Sequence, residues 1–178
     1  MTNTIKARRP PPGVPSRFDP LDAAITASLA RYGITVIRVG LGFIFLWFGA
    51  LKFVPGMSPA EDLATRTIEH LTLGTVGPAV SLPVLATWEC AIGLGLLTKR
   101  FLRATLLLLA VQMVGTVMPL ILFPAETFTR FPLAPSLEGQ YIIKNVVLIG
   151  AGMVIGATVR GGRLTTEPPG GDHSFHIK

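Results

Sequence analysis

Residues 78–97 read PAVSLPVLATWECAIGLGLL. Twenty residues rise about 30 Å as an α-helix, the thickness of a bilayer's hydrocarbon core. One formal charge, Glu89, lies near the middle. A carboxylate at that depth is costly unless it is neutral, paired or turned to water. The chain is therefore expected to span a membrane and to place another group where it can meet Glu89.

Composition supports the first expectation. The 178 residues are 49% hydrophobic and only 15% charged, against about 25% charged in an ordinary soluble domain. The apolar residues come in long runs. Four of them, at about 34–53, 78–97, 102–123 and 138–159, are long enough to cross a bilayer. The fold class expected is an all-α membrane protein, a four-transmembrane-helix bundle. The net charge of +6 does not indicate nucleic acid, because the basic residues cluster at the ends of apolar runs, where membrane topology calls for them. Cys90 is the single cysteine and lies inside a span, so no intrachain disulfide can form. The first apolar run follows a polar, proline-rich lead and reads as a retained signal anchor.

Residues 1–33 read as a disordered tail followed by a short amphipathic helix. Asp19-Pro20 would start that helix, and Leu21, Ala24, Ile25 and Leu29 fall at helical spacing. Gly33 is expected to separate it from the first span. Between the first two spans, Ser58-Pro59-Ala60-Glu61 has a capping-box pattern. Ala60, Leu63, Ala64, Thr67, Ile68 and Leu71 then share one helical face, predicting an amphipathic helix in the first outer loop. Pro119 is expected to kink the third span. A proline-rich loop precedes the fourth span, and residues 160–178 read as a second disordered tail. Lysine and arginine concentrate in the two tails and in the turn from Lys99 to Arg103. That bias places both termini in the cytoplasm of a bacterial-type inner (plasma) membrane.

Three further stretches bear on function: GALKF (Gly49 to Phe53) followed by PGMSPAEDLA (Pro55 to Ala64), WECAIGLGLL (Trp88 to Leu97), and EGQYIIKNVVLIGAG (Glu138 to Gly152). In order and spacing they resemble the DoxX-like family of small four-span membrane proteins, in its YkgB/RclC-like branch. The resemblance covers about residues 38–156. It implies a four-helix inner-membrane bundle associated with thiosulfate:quinone oxidoreduction or with oxidative-stress membrane complexes. It transfers no catalytic residue set.

Glu89 is the candidate catalytic residue. Gln112 in the third span reaches a similar depth, while Lys144 and Arg38 approach from opposite ends and each has a side chain long enough to reach toward the acid. The functional reading is a proton-accepting or quinone-contacting carboxyl. The plainer reading is a structural pair that fixes helix packing. For Lys52 alone, snorkelling to the interface is the simpler reading. Lys52 and Lys144 together, close in depth, would make an anion or quinone-headgroup site. Arg38 reads as an anchor of helix one at the interface. Trp47 and Trp88 read as membrane-facing or interfacial residues. Gly152 with Gly156, and Ala91 with Gly95, read as close-packing positions.

No span carries a histidine. His173 and His176 sit at a metal-contact spacing in the tail without further ligands, so no metal site is expected. Nucleotide fingerprints and CxxC patterns are also missing. The chain thus offers no covalent or metal-ligand attachment for a cofactor. A redox role would rely on a diffusible quinone, a lipid or a redox partner subunit. The other partners expected are the lipid bilayer and a second copy of the chain. A small proton-coupled transporter or channel, and a non-catalytic scaffold, are the alternative readings.

Overall fold

The computed structural model describes residues 19–162 and 164. The amino-terminal tail, most of the carboxyl tail, and His173 and His176 with it, lie outside the described residues. The chain is mostly helical: α1 (Asp19–Leu51), α2 (Glu61–Leu71), α3 (Pro78–Thr98), α4 (Leu102–Val117), α5 (Pro119–Leu122), α6 (Pro124–Thr127), α7 (Leu137–Ile143) and α8 (Asn145–Ala157), with two short strands, β1 (Phe128–Arg130) and β2 (Ala134–Pro135). Four stretches are long and apolar enough to span a membrane: Pro20–Leu51, Pro78–Thr98, Leu102–Leu122 and Leu137–Ala157. Much of the exterior is apolar, with Val36, Phe43, Leu107 and Val146 all more than half exposed. A soluble protein would carry charge at such positions. This is a multi-pass membrane protein.

Gly33 does not interrupt the first helix. The 33 residues of α1 run unbroken through it, because one glycine in a helix interior costs only about 1 kcal/mol and no proline adds to it. A helix of that length spans roughly 50 Å, so it projects well beyond a hydrocarbon core of about 30 Å. The third span breaks at Met118. Pro119 has no N–H to give the Gly115 carbonyl, which accepts from the Met118 N–H at 3.2 Å instead. The fourth span tightens at Lys144, where Val147 N–H bonds the Lys144 carbonyl at 3.1 Å, a three-residue step. The proline-rich loop holds α6 and a small antiparallel β1–β2 pair, a local addition to the otherwise helical fold.

The bundle core is formed by Leu41 and Phe45 from α1, Ile92 and Leu96 from α3, Leu109 and Met113 from α4, and Ile155 from α8. The most extensive pairing is between α1 and α3. It is antiparallel and very close. A Cβ added at Gly93 would lie 2.5 Å from the Leu46 nitrogen, and one at Gly49 would lie 2.9 Å from the Cys90 nitrogen. Only glycine allows the backbones this near, and in a membrane such contact replaces the missing hydrophobic drive. Gly95 makes room instead for the Thr105 side chain of α4, and Gly152 faces the Leu109 side chain.

At the end of the bundle bearing α2, the segments are clasped together by one arginine. Arg66 donates to Glu126 through Nη1 at 2.8 Å and Nη2 at 2.6 Å, and to Asp62 through Nε at 3.0 Å. Its guanidinium also stacks 5.0 Å from the centroid of Phe123, whose ring meets His70 edge-on. The hydrogen bonds from Arg66 hold the Glu126 carboxyl below the usual carboxylate range. Reciprocally, Glu126 and Asp62 raise the arginine above its ordinary value. Helix α2 begins at Glu61, later than the capping-box pattern implies, and Ala60 supplies no side-chain cap. The Glu61 carboxylate instead accepts from the Gly56 N–H at 2.9 Å.

Candidate functional site

The close approach of α1 and α3 at Gly49 determines what happens one turn later. Gly49 lies against the backbone and Cβ of residues 89 and 90, so the lysine three residues on is held beside the middle of α3. Lys52 Nζ lies 2.7 Å from Glu89 Oε2. The two side chains are 7% and 10% exposed, respectively. The ammonium also donates to the Phe48 carbonyl at 3.3 Å. From α4, Gln112 Nε2 donates to Glu89 Oε1 at 3.0 Å. Both carboxylate oxygens are therefore engaged, one by a cation and one by an amide.

Gln112 thus meets Glu89, and Lys52 joins them. Lys52 does not snorkel, because Gly49 brings its stem inward and the acid partners its charge. Lys144 lies elsewhere. It is exposed, with its ammonium 5.3 Å from the Tyr141 ring centroid. The two lysines therefore form no shared anion site, since Lys52 is buried against Glu89 while Lys144 is exposed beside Tyr141. Arg38 does not reach Glu89 either. It is buried toward the opposite end of α3, where Nη1 donates to the Leu96 carbonyl and, at 3.1 Å, to the Leu97 carbonyl. Those carbonyls are among the last of α3 and lack helical partners, so the arginine caps a negative helix end.

The two tryptophans separate. Trp47 is 55% exposed and stacks edge-on with Phe43. Trp88 is half-buried and donates through Nε1 to the Leu108 carbonyl at 3.3 Å. It packs between α3 and α4 against the core, with part of its surface left exposed.

Lys52, Glu89 and Gln112 lie on the wall of a cavity of about 580 Å³. Helix α2 forms one side of it through Ala60, Leu63, Ala64, Thr67, Ile68 and Leu71. Ser81, Val84, Leu85 and Trp88 line it from α3, and Val111, Gly115 and Thr116 from α4. The chamber is thus largely apolar, with a few polar groups on its wall, the composition typical of a small-molecule site. Two features of it escaped sequence reasoning. One is the partnership of Lys52 with Glu89, for which GALKF carried the signal in Gly49, a small residue one turn before the lysine. The other is Ser81, whose short side chain gave no signal.

Among the described residues, no group of three or more histidine, cysteine or acidic side chains is placed to hold a metal ion. Comparison with protein-family models, with curated proteins and with solved structures yields no match to this chain.

Proposed function

We propose that this protein is a quinone-interacting, accessory component of a redox-linked or oxidative-stress membrane system, as its resemblance to the DoxX-like family implies. The observation that carries the reading is the buried Lys52–Glu89–Gln112 cluster on the wall of an apolar cavity. A lipid-soluble ring with polar oxygens matches both parts of that chamber. The apolar walls take the ring and tail. Lys52 and Gln112 take the oxygens, and Glu89 holds both donors in position. Charge bias supports an inner-membrane protein with both termini in the cytoplasm and α2 on the outer side, so ligand would meet the site near the outer leaflet. A redox partner subunit would supply or accept the electrons.

The test is titration of the full chain, in lipid nanodiscs, with a decyl-tailed, fully substituted 1,4-benzoquinone. Wild type is expected to bind saturably. The charge-balanced double variant Lys52→Met/Glu89→Gln is expected to bind at least about ten-fold more weakly, a loss of roughly 1.4 kcal/mol. Absence of saturable binding by wild type, or equal binding by the variant, sinks the reading. A second reading draws on the same ion pair, since an ionisable group buried within a span also suits proton movement. Proton-coupled uptake into vesicles, lost in Glu89→Gln, would favour a small transporter instead.

A further inference from the structure

Arg38 caps α3 with one nitrogen. Nη1 makes the bonds to the Leu96 and Leu97 carbonyls, and among the described residues Nε and Nη2 make none. The residue is only 7% exposed, yet those two nitrogens are not sealed inside the bundle. Among the described residues, the one buried side-chain nitrogen or oxygen without a partner is the Ser81 hydroxyl. Nε and Nη2 therefore reach the surface. They lie on one edge of the guanidinium, where two N–H groups run parallel at a spacing that matches two oxygens of a phosphate.

The charge is unanswered as well. Carbonyls offer dipoles and no counter-charge, and no carboxylate among the described residues pairs with Arg38. Glu89 is taken by Lys52. Asp22, on the same helix, is sixteen residues away, about 24 Å along the axis. Arg66 makes the contrast, since its guanidinium meets both Asp62 and Glu126. A guanidinium held among apolar groups without an anion is costly.

The neighbourhood adds positive charge. Lys99 and Arg100 follow the capped carbonyls directly and are exposed. Arg31 is exposed too and precedes Arg38 by seven residues, which puts both on one face of α1. Apolar side chains adjoin these charges: Ile37 and Val39 on either side of Arg38, and Leu94 a turn before Leu97, are all exposed. An anion with acyl chains would use both features, whereas a soluble phosphate would use only the charges.

We infer that this end of the bundle binds an anionic phospholipid, whose phosphate is gripped by Nε and Nη2 of Arg38, with Arg31, Lys99 and Arg100 around it. Basic pockets between spans are known sites for such headgroups. The lipid completes the capping arginine by supplying the counter-charge that α3 cannot. The site is separate from the chamber at Glu89 and does not depend on what that chamber holds.

The experiment is native mass spectrometry of the full chain in a neutral detergent, titrated with dioleoyl phosphatidylglycerol or dioleoyl phosphatidylcholine. Wild type is expected to retain one phosphatidylglycerol in preference to phosphatidylcholine by about ten-fold. Arg38→Lys keeps the charge and a donor for the α3 carbonyls but loses the paired edge. It is expected to lose most of that preference while its unfolding midpoint in lipid-free detergent stays near wild type. Arg100→Gln, which removes an exposed charge, is expected to lose much less. Glycerol 3-phosphate at the same concentration as the lipid is expected not to displace it. Equal retention of the two lipids by wild type overturns the inference. So does a full preference in Arg38→Lys, because exposed bases alone would then account for it. Displacement by glycerol 3-phosphate overturns the assignment to a lipid and makes the site one for soluble phosphate.

Discussion

Lys52, just past the end of α1, and Glu89, in the middle of α3, form a 2.7 Å ion pair that is almost fully buried. Taking either charge away leaves the other uncompensated, which costs about 3–5 kcal/mol for a buried pair. Replacing both removes the two desolvation penalties together. Lys52→Met and Glu89→Gln should each lower the thermal unfolding midpoint in detergent markedly. The double variant should recover most of the loss. Two single variants as stable as wild type would show that the pair contributes nothing to the fold.

The pairing depends on how closely α1 and α3 approach. Gly93→Ala would press a Cβ to 2.5 Å from the Leu46 backbone nitrogen, and the helices would have to part. A cost of about 1–3 kcal/mol is expected, as for other overpacked sites. Gly150 has nothing within 4 Å of its added Cβ, so Gly150→Ala should be neutral or slightly stabilising. Comparing the two unfolding midpoints separates the effect of contact from that of helix propensity.

Arg38 caps α3 from the far end through the Leu96 and Leu97 carbonyls. Arg38→Leu should cost about 1.5–3 kcal/mol, the scale of hydrogen bonds to a charged group. Glu89 is about two helical turns from Leu96, so ligand affinity in the chamber should change little once the protein is folded. A large loss of affinity with unchanged stability would contradict a capping role.

The Arg66–Glu126 clasp carries a pH dependence with a defined sign. Arg66 holds the Glu126 carboxyl below its usual range, so the folded value lies under the unfolded one of about 4.3. The clasp's contribution is therefore complete at neutral pH and is lost as pH falls through the folded value. Both side chains are solvent-accessible, so salt should weaken it too. Glu126→Gln at neutral pH should reduce the hydrogen-exchange protection of α2 amides modestly, and acid should reduce it in wild type but no further in the variant. Equal protection in all four conditions would mean that other contacts hold α2 in place.

The four spans were legible because a bilayer imposes a demand that runs along the chain: about twenty apolar residues in a row, ended by charge. The interruption at Pro119 was legible for a similarly local reason, the missing N–H. The continuous α1 was not, since a single glycine marks a helix boundary only when the surroundings favour a turn, and at Gly33 they do not.

For the site, the residues alone required that Glu89 have company, because an isolated carboxylate within a span is too costly. Gln112 could be named as company from depth along its helix. Choosing among Lys52, Lys144 and Arg38 needed helix rotation and distance, which composition and periodicity do not contain. The packing of Gly49 of α1 on α3, and of Gly93 of α3 on α1, supplied both, turning Lys52 inward while Lys144 and Arg38 settled elsewhere. The order of residues thus dictated that there would be spans and a buried acid in need of a partner. The identity of the lysine that answers it emerged only when the helices packed, because ion pairing acts over a few ångströms between residues far apart in the chain.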